Sequence, residues 1–303
     1  MHISATANAP PAATSIATMM VPMSEMQGLH KLKNEAGDET TIWRYMDLSR
    51  LVSLLATGSL WFAKAATFND DPYEGFGRAA RFTVPVGDNS PKCIARVEPG
   101  GAETSQTLPE MLAEVSGRSA EIVEKARQHI YVNSWCRDAG ESMAMWEIYG
   151  SHGLGVAVKS SVGQYKRAAK FKVDPSHYLF GNVTYHSNIE CAPELQRDFT
   201  KAVPLPGPGL MTKILPLGLN KRDCYKYEQE WRAVVYQDIR PDIAGISEEF
   251  DLKELISGVY LGPRTEDFLF GAVSSLLEKF KVDKPLERSV LLDPRPKAGK
   301  DAE

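Results

Sequence analysis

The stretch YKYEQEWRAVVY, residues 225–236, combines two carboxylates and several aromatic side chains with an apolar run typical of buried strands. We predict a strand here, because β-branched and aromatic residues favour extended structure. Residues i and i+2 of a strand share a face, so Glu228 and Glu230 should point the same way, about 7 Å apart along the backbone. Such a pair costs energy unless a positive group lies between the carboxylates, and it can raise a pKa. It suits the handling of a cationic or electron-poor centre; an ordinary solvated strand edge is the alternative interpretation.

Short strands and helices surround this stretch without a regular β-α-β period. Residues 41–46 predict a strand, Asp47 an N-cap, and the leucine spacing that follows predicts a helix ending at Gly58. Because the elements interleave irregularly, we predict an α+β fold with short mixed or antiparallel strands. Further strands are expected at residues 60–63, 79–86, 131–136, 153–159, 178–186, 256–262 and 288–292, and helices at 108–129, 142–149, 191–202 and 265–281.

The chain of 303 residues is 43% hydrophobic and 24% charged, which is typical of a soluble globular protein. We predict a disordered N-terminal arm at residues 1–38, one α+β domain at 39–292 and a loose tail at 293–303. A net charge of −4 gives no bulk attraction to nucleic acid or to an anionic membrane. We expect a cytoplasmic protein with no membrane partner, and an export signal in the arm is the alternative.

Metal-binding and phosphate-binding motifs are missing from the sequence. The four cysteines have no CxxC spacing, the six histidines form no HExxH motif, and neither a P-loop nor a GxGxxG loop occurs. We therefore expect no metal site. Cys136 and Cys224 are expected to be core thiols and not nucleophiles.

Arg44 is the candidate anion-binding residue. It alternates with Trp43 and Tyr45 in the predicted strand and so faces away from them. A buried arginine needs a partner, either an anionic ligand such as a diphosphate or a carboxylate such as Asp70 or Glu74.

The loop FNDDPYE, residues 68–74, contributes three carboxylates, Asp70, Asp71 and Glu74. We expect turn formation and a salt bridge to Arg44, and a site for a hard cation is the alternative.

Two further segments have structural and functional interpretations. Trp146 and Tyr149 share a helical face, either as core residues or as a stacking surface for a flat ring such as nicotinamide or adenine. The turn at residues 262–265 offers either an anion site at Arg264 or helix capping by Thr265.

Taken in order, the motifs resemble the bacterial family called domain of unknown function 2971, over about residues 42–280. The motifs are WRY (43–45), GSLWF (58–62), FND (68–70) with Pro72 and Glu74, MW (145–146) with Tyr149, GV (155–156), KYE (226–228), EWR (230–232) and VYLG (259–262). The chain departs from the family pattern in its two aspartates before Pro72 and in Ala63, Lys64 and Ala65, where small hydroxyl residues are common.

A second, fold-level resemblance is to ADP-ribosyltransferases, in the opening strand–helix–Gly–strand unit and the late Glu-x-Glu strand. It implies a split sheet, with Arg44 and Tyr45 binding NAD as co-substrate and Ser134 ordering the site. Glu230 would stabilise the oxocarbenium ion as nicotinamide leaves, and Glu228 would polarise the acceptor. The roles are carried over by analogy.

Three hypotheses follow. The first is an NAD-consuming transferase or glycohydrolase, a toxin or phage-defence effector that binds a nucleotide-type small molecule and a macromolecular acceptor of unspecified kind. The second is a metal-dependent nuclease or phosphodiesterase using the acidic loop with Glu228 and Glu230. The third is an interaction module, which would show a flat surface around Glu230 instead of a pocket.

Overall fold

A computed structural model describes residues 36–68, 71, 92–97, 103–107, 126–172, 177–187, 215–237 and 242–293. The predicted strand at 79–86 and helix at 191–202 lie outside these ranges, as do Asp70, Glu74 and nearly all of the predicted helix at 108–129. Residues 1–35 and 294–303 lie outside them too, so the arm, the tail and the domain boundaries stay predictions.

The described part contains fourteen strands and five α-helices. The strands are β1 (Thr41–Met46), β2 (Ser59–Lys64), β3 (Lys92–Val97), β4 (Glu103–Thr107), β5 (Ile130–Arg137), β6 (Val156–Ser161), β7 (Ala169–Lys170), β8 (Tyr178–Asn182), β9 (Thr184–His186), β10 (Asn220–Arg222), β11 (Glu230–Tyr236), β12 (Gly245–Phe250), β13 (Gly258–Leu261) and β14 (Leu286–Arg288). The helices are α1 (Leu48–Thr57), α2 (Met143–Ile148), α3 (Val162–Ala168), α4 (Leu252–Leu255) and α5 (Asp267–Lys279).

Ten of these strands form one sheet, in the order β14-β13-β6-β1-β5-β2-β12-β7, with β11 and β8 branching from β5. Neighbours are antiparallel except β13 and β14. Two small sheets, β9 with β10 and β3 with β4, complete the described strands. Helices interleave with the strands along the chain, which confirms the predicted α+β class.

The opening unit folds as its local sequence dictates. The Asp47 side chain accepts a hydrogen bond from the Arg50 amide and begins α1. Gly58 adopts a left-handed conformation (φ 61°) and donates its amide to Leu54, which ends the helix. The predicted strand–helix–strand unit is confirmed.

The sheet is split along one edge of β5. β1 pairs with β5 at Cys136 and Arg137, whereas β2 pairs with it at Tyr131 and Val132. The ladder on this edge skips residues 133–135, while β11 pairs with the opposite edge along its whole length. A cleft opens where β1 and β2 diverge, as expected of a split sheet.

Side chains at this gap donate hydrogen bonds to backbone carbonyls that have no partner in a neighbouring strand of the described part. Arg44 Nη1 donates to the Ser134 carbonyl at 2.7 Å, and Asn133 Nδ2 donates to the Trp61 carbonyl at 2.8 Å. Buried backbone carbonyls need such partners. The gap is therefore a stable feature of the fold.

The strand predicted at residues 225–236 begins only at Glu230. Asp223–Glu228 form a 3₁₀ helix, and Gln229 turns the chain with a left-handed backbone (φ 43°). The i, i+2 argument for Glu228 and Glu230 was therefore wrong, because the two residues belong to different elements. Two smaller corrections concern the strand predicted at 178–186, which is interrupted at Val183, and the last strand, which is Leu286–Arg288.

The main core lies between the sheet and the helices and is rich in aromatic residues. Tyr165 of α3 makes edge contacts with Trp135 of β5 and Trp231 of β11. These packed rings fix β5 against β11, the two strands that carry the site. Among the described residues, no helix combines the length and apolar character needed to cross a membrane.

Candidate functional site

A cleft of about 870 Å³ lies at the split between β1 and β2. Its walls come from strands β1, β2, β5 and β11 and from the 3₁₀ helix before β11. Six of the seven residues predicted for the site line it: Arg44, Tyr45, Ser134, Tyr149, Glu228 and Glu230. The fold thus brings the predicted cation and the two predicted carboxylates to one cavity.

Lys221 of β10 lies between the two carboxylates. Its Nζ donates to Glu228 Oε2 at 2.5 Å and to Glu230 Oε1 at 2.8 Å. All three side chains are buried. Two neighbouring carboxylates are stable only with a positive group between them, and Lys221, which no motif of the sequence indicates, is that group.

Glu230 is held as an anion. Arg232 Nε donates to its Oε2, and Arg232 Nη1 donates to the Gly218 carbonyl at 2.9 Å. Burial alone would raise the pKa of Glu230, but the charges of Arg232 and Lys221 outweigh it and hold that pKa well below its usual range. Glu230 is therefore ionised at neutral pH.

Glu228 behaves differently. Burial, and then the hydrogen bond and charge of Glu230, raise the pKa of Glu228 to about 7, and Lys221 offsets only part of this rise. The Tyr149 hydroxyl donates to Glu228 Oε1 at 3.0 Å. Two adjacent carboxyls with pKa values pushed apart are suited to different chemical roles.

Arg44 is half-buried in the cleft, with its guanidinium 5.9 Å from the centre of the Trp135 ring. Burial lowers the pKa of Arg44 to about 10, which leaves it cationic at neutral pH. Within the described residues it makes no ion pair. Asp71, from the acidic loop, pairs at 2.9 Å with Arg222 and not with Arg44. The other predicted partners of Arg44, Asp70 and Glu74, lie outside the described residues.

Tyr45 lines the cleft, and Trp146 packs behind it. The Tyr45 hydroxyl accepts the Ser142 amide at 2.8 Å, and its ring meets the Trp146 ring edge-on. Trp146 is fully buried, and its Nε1 donates to Glu141 at 3.0 Å. Of the two interpretations of Trp146, the core residue is confirmed and the stacking surface for a flat ring is wrong, because no face of its ring is open.

Tyr149 does not share the surroundings of Trp146. It is 39% exposed and is the C-cap residue of α2, where its amide still donates to the Met145 carbonyl. The two rings therefore do not form one surface, because the Trp146 ring is buried and the Tyr149 ring is open to solvent.

Three residues of the site escaped the sequence analysis. Arg232 could have been predicted from the sequence, because residues i and i+2 of a strand share a face and Glu230 lies two positions earlier. No local pattern predicts the role of Lys221, because it lies on a separate short strand, β10. The Tyr185 hydroxyl, which accepts the Glu230 amide at 2.8 Å, comes from β9, the parallel neighbour of that strand.

Cys136 lies opposite Glu230 on β5 and lines the cleft. Burial raises the pKa of its thiol to about 12, so it is protonated and a poor nucleophile, as expected. Cys224 is exposed, which corrects the prediction that it is a core thiol.

The turn at residues 262–265 serves neither predicted role. Arg264 pairs with Glu147 and donates to the His152 carbonyl at 2.7 Å, so its charge is already neutralised. The Thr265 hydroxyl donates to the Gly262 carbonyl, and the N-cap position of α5 is Glu266.

The carboxylate pair does not offer a cation site in this arrangement. The Lys221 ammonium occupies the position between Glu228 and Glu230 that a divalent ion would take. Elsewhere in the described ranges, no group of three or more potential metal ligands comes together.

No protein-family model matches the chain, and a search of curated proteins finds no match either. Membership of domain of unknown function 2971 therefore stays a prediction. Among solved structures, Thermus sp. 2.9 DarT in complex with NAD+ is similar at a TM-score of 0.33 and 10% identity, over 84% of this chain and 96% of that chain. Its complex with carba-NAD+ is similar at a TM-score of 0.31 and 13% identity, with the same coverage. Likenesses at these TM-scores carry no argument about the fold or activity of this chain.

Proposed function

We propose that the cleft binds NAD and breaks its nicotinamide–ribose bond, passing ADP-ribose to an acceptor or to water. The observation that carries this proposal is that Arg44 and the Glu228–Glu230 pair line one cleft. A nucleotide with a diphosphate and a reacting centre that becomes positively charged fits such a combination of charges.

Arg44 is proposed to bind the diphosphate. Its guanidinium is planar, has donors to spare beyond the one used by the Ser134 carbonyl, and makes no ion pair among the described residues. A half-buried arginine binds an anion more strongly than an exposed one, because water screens the charge less.

Glu230 is proposed to face the ribose that loses nicotinamide. The C–N bond breaks with its electron pair leaving on the nicotinamide nitrogen, so positive charge develops on the sugar. A fixed carboxylate stabilises that charge without reorganising during the reaction. Arg232 and Lys221 fix Glu230, and its carboxylate lines the cleft.

Glu228 is proposed to be the general base. A base with a pKa near 7 is well matched to proton transfer at neutral pH. As an acceptor hydroxyl or water attacks the anomeric carbon, its proton passes to Glu228. The Tyr149 hydroxyl orients the carboxyl that receives it.

The test is nicotinamide release from NAD by the full chain and by Glu230→Gln. We expect a loss of about 100-fold or more, the usual consequence of removing a preorganised charge. Glu254→Gln is the matched control, because Glu254 forms an exposed ion pair with Arg167 and does not line the cleft. Equal activity in wild type and Glu230→Gln would overturn the role given to Glu230.

Neither rival hypothesis gains support. The interaction module called for a flat surface at Glu230, but this residue is 5% exposed at the wall of a cleft. The nuclease called for a cation at the carboxylates, where Lys221 lies. The setting proposed with the NAD chemistry, a cytoplasmic toxin or phage-defence effector, is supported by the sequence resemblance alone.

A further inference from the structure

Trp61 differs from the other four tryptophans of the chain. Its side chain is 49% exposed, while the other four are at most 3% exposed. It lines the cleft, and its position on β2 places it on the lip of the split opposite β1. An indole ring that is open at a cavity wall can stack on a flat ligand.

The surroundings of Trp61 fix its backbone and support one side of its ring. Asn133, at the gap in the sheet, donates its amide to the Trp61 carbonyl at 2.8 Å. Gly245 lies beside the ring on β12, and a Cβ at this position would collide with the indole and with the Phe62 carbonyl. The ring therefore rests on backbone that has no side chain, a firm support for a flat ligand.

The strand order places Trp61 apart from the carboxylates. Glu230 is on β11, which pairs with one edge of β5, while Trp61 is on β2, which pairs with the other edge. Arg44 contacts the Ser134 carbonyl of β5, between these two sides. A ligand with its diphosphate at Arg44 thus has carboxylates towards one side and an aromatic ring towards the other.

We propose that Trp61 is the stacking platform for the adenine ring of the nucleotide, at the end of the cleft away from Glu228 and Glu230. This inference rests on the proposed function, which assigns the nicotinamide end to the carboxylates. Stacking on indole recognises the π-face of a base and needs no hydrogen bond to its edge. Trp61 accordingly contributes affinity for the part of the ligand that does not react.

Tryptophan fluorescence gives a direct test, because a base stacked on Trp61 quenches the indole most exposed to ligand. AMP is titrated into the full chain, into Trp61→Phe and into Trp61→Ala, with affinity measured in parallel by calorimetry. We expect saturable quenching in wild type and its loss in Trp61→Phe, which keeps AMP affinity within about threefold. Trp61→Ala should bind AMP about tenfold more weakly, in the range typical of base–aromatic stacking.

Phe268→Ala is the matched control, because Phe268 is an aromatic residue of α5, 73% exposed and outside the cleft lining. It should retain wild-type AMP binding and quenching. Absence of AMP binding to wild type, quenching that persists in Trp61→Phe, or unchanged AMP affinity in Trp61→Ala would each overturn the proposal. Weakened binding of nicotinamide mononucleotide, with AMP binding unaffected in Trp61→Ala, would contradict the choice of the adenine end.

The same variants separate this inference from the proposed function. NAD turnover with an unchanged KM in Trp61→Ala would support the proposed reaction and refute the stacking site. Quenching by AMP that depends on Trp61, without any nicotinamide release from NAD, would support the stacking site and refute the proposed reaction.

Discussion

Glu230 and Glu248 are both buried carboxylates on strands of one sheet, yet their surroundings differ in kind. Glu230 contacts the cations Lys221 and Arg232, and it lines a cleft. Glu248 accepts a hydrogen bond from the Gln237 amide at 2.8 Å and does not line the cleft. Burial raises the pKa of Glu248, whereas the cations lower the pKa of Glu230. Burial alone therefore does not distinguish the two carboxylates; the contacting cations and the cavity do.

The largest stability effect is expected from Lys221→Met. Removing the ammonium leaves Glu228 and Glu230 as a buried pair of like charges, and breaking a buried ion pair costs about 3–5 kcal/mol. We expect a loss of that size in the free energy of unfolding, measured by urea denaturation at a pH where both carboxyls ionise. Lys221→Arg, which keeps the charge, should recover a large part of it. A loss in Lys221→Met smaller than that in Lys221→Arg would contradict the account.

Gln237→Leu, which acts at Glu248, should lower the free energy of unfolding by less than Lys221→Met does. It removes a neutral donor from Glu248, for which the typical cost is about 1–3 kcal/mol, and Glu248 can take up a proton in place of the lost bond. The same urea measurement checks this value. A greater loss in Gln237→Leu than in Lys221→Met would mean that the two carboxylates are equivalent structural groups, and the comparison would fail.

Arg44→Lys should weaken NAD binding while leaving the chemistry largely intact. Lysine keeps the charge but loses the planar fork that can hold the Ser134 carbonyl and a phosphate together. We expect KM for NAD to rise about tenfold, with kcat changed by less than about threefold. Arg264→Lys is the control, since Arg264 pairs with Glu147 outside the cleft. A fall in kcat without a change in KM would show that Arg44 acts in the chemical step and not in binding NAD.

A smaller effect is expected in the pH dependence. Glu228 must be ionised to accept a proton, so kcat/KM should rise through pH values near its pKa of about 7. Glu228→Gln should remove this limb from whatever activity remains, whereas Glu248→Gln should retain it. If the rise of kcat/KM near pH 7 is unchanged in Glu228→Gln, the general base is a group other than Glu228.

The raised pKa of Glu228 has a consequence for stability with a definite sign. Its folded-state pKa of about 7 lies above the value of about 4.3 for an unfolded glutamate, so the folded protein binds this proton more tightly. The resulting stability is fully present below the unfolded pKa and is lost as pH rises through 7. Relative to Glu228→Gln, the wild type should therefore lose stability over this range.

Local features of the fold were predictable from sequence because they depend on neighbours along the chain. Asp47 and Gly58 bound α1 as helix-capping rules require. Arg44 was correctly predicted to face away from Trp43 and Tyr45, since alternation in a strand depends only on β1 itself. Trp146 was misassigned because spacing alone does not tell a core face from an open one.

The centre of the site depended on contacts that sequence separation hides. Gln229 adopts a left-handed backbone, which is uncommon for a residue other than glycine, and this turn separates Glu228 from the strand of Glu230. Lys221 reaches both carboxylates from β10, whose parallel partner β9 lies on the far side of a long intervening segment. A local sequence pattern does not predict the pairing of two strands that lie so far apart in the chain.

The most direct test of the central claim is a single-turnover measurement of nicotinamide release at saturating NAD, comparing Glu230→Gln with Glu248→Gln. Saturation removes differences in binding, and the pair sets the carboxylate of the cleft against the carboxylate of the core. We predict a rate about 100-fold or more below wild type for Glu230→Gln, and a rate within about threefold of wild type for folded Glu248→Gln. Equal rates for the two variants, or release that is the same in wild type and Glu230→Gln, would contradict the claim that the cleft is an NAD-cleaving site.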